Sequence, residues 1–173
     1  MKLMTRPKQP IPIARQVAVL FRDKWLCHWC GRPVIFAPAL KYLEAFVGAS
    51  GYELPLAYYN KNYRRDASPL LDELGLAMDH VKAHAKGGSD DESNLVTACS
   101  RCNARKSDKE ASDYVKEHPK WAVKSKHGEP THWDGLASYF VAAARANPGL
   151  LTTQERKWLL ALEGHIKAEG RAG

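Results

Sequence analysis

The sequence lacks any apolar stretch long enough to span a bilayer. Its N-terminal segment, MKLMTRPKQPIPIARQ, is broken by prolines and has no apolar run of the length a secretory leader needs. These absences point to a soluble, cytoplasmic protein with no membrane partner. No internal repeat or long low-complexity segment occurs, so repeat architectures are set aside. Cysteine is scarce at four residues, all of them in two Cys-x-x-Cys pairs, Cys27/Cys30 and Cys99/Cys102. Acidic side chains are also short in number, with 19 Asp and Glu against 26 Lys and Arg, a formal charge of +7.

The excess of basic charge, with an isoelectric point near 9.3, favours a polyanionic partner, because a basic surface gains affinity by releasing counterions from nucleic acid. Ordinary solubility charge explains the same number. At 173 residues the chain fits one domain, or a compact domain with a helical appendage, and is long enough to bury a substantial core.

In a reducing compartment, paired Cys-x-x-Cys motifs are better explained by metal than by disulfides. A redox pair at Cys27 and Cys30 is the competing reading, and it leaves Cys99 and Cys102 without a role. Four thiolates suit tetrahedral zinc, closed to water and therefore structural. Such an ion would tie the N-terminal segment to residues far along the chain, and chelation should melt the domain.

Arg15 to Lys24 reads as a helix leading into the first cysteine pair and the Gly31 turn, with Trp25 and Trp29 as core or zinc-flanking packing. A second helix is expected from Pro38 to about Val47. An irregular region follows, in which Tyr58, Tyr59, Lys61, Tyr63, Arg64 and Arg65 interleave rings with cations, a mixture that can stack bases and neutralise phosphates or simply form a solvated loop. LLDELGLAMDHV then reads as a strand, KAHAKGGSDDESN as a loop whose Gly87-Gly88 permits tight reversal, LVTA as a second strand, and SRCNARKSDKEASDYVKE as one helix.

The stretch MDHVKAHAKGGSDDESNLVTACSRCNARKSDK, from Met78, holds Asp79-His80, Asn94, and Cys99-x-x-Cys102 followed at once by Asn103. With the upstream cysteine pair it resembles the HNH endonucleases over roughly residues 15–110. The nearest pattern is the Asp-His, Asn, Asn variant also found in the HNH domain of RNA-guided DNA nucleases; Asn103 stands where many members carry His. The resemblance implies an α+β fold: a ββα-metal HNH core stapled by a four-cysteine zinc site, with added helices and a C-terminal helical hairpin. The expected organisation is a nuclease domain over 1–110, with an insertion at about 38–75, and a basic connector with a helical extension over 111–173.

Phosphodiester hydrolysis needs a Lewis acid at the phosphate and a base for water. Asp79 and Asn103 are hard oxygen donors suited to magnesium or manganese. Strand alternation turns His80 away from its neighbour's face, and its ordinary pKa suits a general base. The resemblance gives His80 the role of activating water and Asn94 that of orienting it. Competing readings are a satisfied core histidine at His80, a turn aspartate at Asp79 and a helix cap at Asn103. Lys106, on the helical face of Asn103, is the leading cation for the phosphate or leaving group; His84, Lys86, Arg101 and Arg105 are further candidates for nucleic-acid contact, as are Lys61, Tyr63, Arg64 and Arg65.

Beyond Glu110 two more helices are expected, with Thr152 or Thr153 as an N-cap ahead of Gln154 and Glu155. Trp158, Leu159, Leu162 and Ile166 form one face, and Leu136, Tyr139, Phe140 and Ala143 the facing one. The leading function is a metal-dependent HNH endonuclease of phage or bacterial type cutting DNA, RNA not being excluded, to leave 3'-hydroxyl and 5'-phosphate ends as the family implies. The alternatives are a zinc-stapled, non-catalytic nucleic-acid-binding module, and a helix-mediated module using the C-terminal helices for a homodimer or a phage packaging or defence complex.

Overall fold

The structure is a computed structural model that describes residues 10–52, 73–117 and 133–172. The aromatic-cationic segment containing Tyr58, Tyr59, Lys61, Tyr63, Arg64 and Arg65, and most of the basic connector, lie outside the described residues. Among those residues no helix is long and apolar enough to cross a membrane.

Helix α1 (Ile13–Arg22) buries Val17, Val19 and Leu20. It ends earlier than its composition suggests because Lys24 and Trp25 take left-handed backbone conformations, φ 53° and 57°, which swing the chain into the first cysteine knuckle. That knuckle closes on itself through Cys27 N–H to the Arg32 carbonyl and Gly31 N–H to the Cys27 carbonyl. Helix α2 (Ala37–Ala49) follows, with Pro38 in its first turn, where a missing N–H costs nothing.

Strands β1 (Leu76–His80) and β2 (Leu95–Cys99) pair antiparallel, with Leu76 opposite Cys99 and His80 opposite Leu95. Two short 3-10 turns, His84–Lys86 and Glu92–Asn94, fill the connection. Helix α3 (Ser100–Lys106) leaves β2 directly, which completes the strand, strand, helix order. The single helix expected after the second knuckle is instead two. Ser107 adopts φ 47° and α4 (Ala111–Glu117) starts afresh, because Ser107, Asp108 and Lys109 offer no apolar side chain to carry a buried face onward.

Helix α5 (Ala137–Ala146) and helix α6 (Thr153–Ala172) form the C-terminal hairpin. Thr152 caps α6 in a reciprocal box: its N–H donates to Glu155 Oε2 at 2.7 Å, and the Glu155 N–H donates to Thr152 Oγ1. The buried stripe on α5 is Ala137, Phe140, Val141 and Ala144, one residue round from the expected face, which leaves Tyr139 exposed; on α6, Trp158 and Leu162 are buried and Ile166 is exposed. Phe36 meets both Phe140 and Trp158 edge-to-face, at 5.5 and 5.2 Å between centroids. The hairpin thus shares one apolar core with α1, α2 and the knuckle.

Candidate active site

The four-cysteine cluster forms where the two knuckles meet. The four sulfurs of Cys27, Cys30, Cys99 and Cys102 lie within 4.8 Å of one another, and those of Cys30 and Cys99 are 3.9 Å apart. A tetrahedral ion about 2.3 Å from each sulfur requires sulfur separations of about 3.8 Å, so the arrangement fits a four-thiolate metal site. Packed this closely the thiols divide. Hydrogen bonding to Cys102 pushes the Cys27 thiol up, and the same contact draws Cys102 down to about 6. The His28 N–H donates to the Thr97 carbonyl, docking the first knuckle on β2. Cys99 is also the N-cap of α3, its sulfur accepting from the Cys102 N–H at 3.4 Å.

That cap has a direct consequence for Asn103. It is the fourth residue of α3 rather than its cap, and its side-chain amide has no hydrogen-bond partner among the described residues. Three residues on, on the same helical face, Lys106 turns inward. Its ammonium is fully buried, donates to the His80 carbonyl at 2.7 Å, stands 3.6 Å from Asp79 Oδ1, and lies 5.2 Å from the Trp29 ring centre. Lys106 therefore holds the end of β1 together. The phosphate-facing cation expected at this position is not presented to solvent.

Asp79 is buried and accepts two further hydrogen bonds, from Trp29 Nε1 to Oδ2 and from the His80 N–H to Oδ1, each 2.8 Å. Trp29 sits between the two cysteines of the first knuckle. It therefore connects the four-cysteine cluster to Asp79, a link that its packing role alone does not suggest. Each carboxylate oxygen retains a lone pair beyond these N–H bonds.

His80 points to the other side of the strand, toward the hairpin loop. Its Nε2 lies 2.7 Å from Asp90 Oδ1, and its ring centre 6.0 Å from that of His84. Asp90 went unnoticed in the sequence because an acidic residue in a polar loop reads as solvation. Asn94 spends its amide on the same loop. Its Oδ1 accepts from the Lys82 N–H, and its Nδ2 donates to the Lys82 and Ser89 carbonyls. With those bonds made, Asn94 shapes the loop that carries Asp90.

The loop also demands glycine at position 88. A Cβ there would be driven into the Lys82 carbonyl and crowd Asn94 Nδ2. Gly88→Ala is expected to cost about 2 kcal/mol or more, read as a lowered melting temperature, because backbone rather than a flexible side chain would have to move. A melting temperature within experimental error of wild type would show that the loop has another packing.

Among the remaining contact candidates, Lys86 pairs with Glu110 at 2.8 Å and Arg101 approaches Glu73 at 3.4 Å, while Arg105 is exposed on α3. The basic side chains that the loop and α3 present are thus in part answered by local acids.

A family model for HNH endonuclease matches residues 68–109. This stretch is similar to an HNH endonuclease domain. It covers the strand pair, the loop with His80, Asp90 and Asn94, and the second cysteine knuckle with α3. The HNH family consists of nucleases that act on nucleic acids with divalent metals. No curated protein and no solved structure matches the chain.

Proposed function

We propose that the protein is a metal-dependent HNH endonuclease that hydrolyses DNA phosphodiester bonds, with His80 as general base. The observation that carries this reading is the division of labour at the end of β1. Asp79 meets α3 through Lys106, one helical turn from Asn103, while His80 faces the loop with its ring held by Asp90.

Asp79 and Asn103 would hold a magnesium or manganese ion, for which two hard oxygen donors suffice because such ions keep several waters and take phosphate oxygens. The bound ion would act as a Lewis acid toward the scissile phosphate and the leaving 3'-oxygen. The protein's own part is to hold Asp79 through Trp29 and Lys106, to place His80 so that a ring nitrogen can take a proton from water, and to keep the loop in shape through Asn94 and Gly88. Cys27, Cys30, Cys99 and Cys102 would hold a structural zinc ion that fixes the start of α3, and with it Asn103.

The second reading, a zinc-stapled nucleic-acid-binding module without catalysis, is favoured by one observation. Asp79 is already engaged by two N–H groups and an ammonium, as a purely structural aspartate would be. Supercoiled plasmid incubated with the protein in magnesium or manganese, beside an EDTA control, separates the two. Metal-dependent nicked or linear product is expected; a gel shift on the same samples with no product in either metal would instead support the binding module.

A further inference from the structure

A histidine that accepts a proton must have one ring nitrogen bare, and a neutral imidazole can carry its proton on either one. The hydrogen bond with His80, reinforced by the nearby His84 and Arg15, holds the Asp90 carboxyl below the usual carboxylate range. At neutral pH that group is ionised and can only accept. At 2.7 Å from Oδ1, His80 Nε2 must therefore be the protonated nitrogen, since a bare Nε2 would set two lone pairs against each other. Nδ1 is left as the acceptor. It has no hydrogen-bond partner among the described residues, and it is not one of the polar side-chain atoms sealed from solvent without a partner.

We propose that Asp90 is a positioning residue for His80: it selects the Nε2–H tautomer and fixes the ring so that Nδ1 is the atom that receives the proton of the attacking water. This deepens, and rests on, the reading of His80 as the base. When water gives its proton to Nδ1, its oxygen keeps the electron pair and bonds to phosphorus as the P–O3' bond breaks. The 3'-oxygen leaves with that bond's pair and takes a proton from solvent, and the ring becomes an imidazolium already in contact with a carboxylate. Asp90 therefore stabilises the charge that forms as well as the geometry that precedes it.

The Asp90 backbone is itself held from outside the loop. Arg15, on α1, donates through its guanidinium to the Asp90 backbone carbonyl at 2.7 Å. At the end of the same helix, Arg22 reaches the Glu92 and Leu95 carbonyls, also at 2.7 Å each. Helix α1 is thus a strap across the loop, and Arg15 acts on the base through Asp90.

The test is long-range 15N–1H NMR of histidine-labelled full-length protein, with the His80 signals assigned by their loss in His80→Ala, combined with single-site kinetics on plasmid. In wild type, His80 is expected to show the Nε2–H pattern. Asp90→Ala should mix the tautomers and lower kcat by about 10- to 100-fold with KM little changed. Asp90→Asn, whose amide oxygen can still accept from Nε2–H, should restore the tautomer and part of the rate, an order that general loop damage would not produce. Arg15→Ala should shift both readouts the same way by less.

An Nδ1–H pattern in wild type, or an Asp90→Ala protein unchanged in tautomer and kcat, would overturn the proposal. Inactive wild type whose Nε2–H pattern is lost in Asp90→Ala would defeat the nuclease reading while upholding what Asp90 does to the ring.

Discussion

Removing the zinc ion proposed for the four-cysteine cluster is expected to unfold the protein rather than merely slow it. Structural zinc contributes roughly 10–16 kcal/mol to small zinc-dependent folds, as much as or more than the ~5–15 kcal/mol by which an ordinary domain is stable. Here the cluster joins the knuckle after α1 to the start of α3, with four thiols in mutual contact at the core's edge. Without an ion, the thiolates would repel one another or remain as poorly satisfied buried thiols. The loss should spread, since Trp29 in the knuckle bonds Asp79 and Cys99 caps α3. Titrating a strong chelator while following circular dichroism and the fluorescence of buried Trp25 and Trp29 should give a cooperative transition that matches zinc release, and Cys102→Ser should reproduce it. A metal-free protein with unchanged spectra and melting temperature would remove the structural role.

Lys106→Met is expected to destabilise the fold by about 3–5 kcal/mol, the usual cost of leaving one partner of a buried ion pair alone. Methionine has nearly the length of lysine but no charge and no donor. Asp79 would lose its nearest cation, and the His80 carbonyl the N–H group bonded to it. For a chain of this size that corresponds to a melting-temperature drop of about 10 °C. Adding Asp79→Asn to the same protein should recover part of the loss, since the stranded charge is then gone. A Lys106→Met protein as stable as wild type but slow in cleavage would return the ammonium to the phosphate, as its position in the sequence suggested.

These two expectations show where sequence could be read and where it could not. Cys27, Cys30, Cys99 and Cys102 were legible because their spacing has few other uses. The strand pair and its following helix were legible through Asp79-His80, the Gly-Gly reversal and the second knuckle. Helical periodicity puts Asn103 and Lys106 on one face, but it cannot say whether that face meets solvent or a neighbouring strand. The packing of α3 against β1 decides that, and it turns Lys106 inward. The Trp29–Asp79 and His80–Asp90 bonds join residues whose partnership no local pattern signals. Similarly, the break at Ser107 depends on a backbone conformation, φ 47°, that serine does not advertise. The shifted stripe on α5 reflects the same limit: several registers of an alanine-rich helix look alike until the partner surface is known.

The most direct measurement compares cleavage of one plasmid substrate by wild type and His80→Ala, both shown to hold zinc and to melt at the same temperature. The expected result is a rate at least ~100-fold lower for His80→Ala with DNA binding retained, the loss that removal of a general base produces. Full cleavage by a well-folded His80→Ala protein would contradict the assignment of His80 as the base, even if the nuclease activity itself were real.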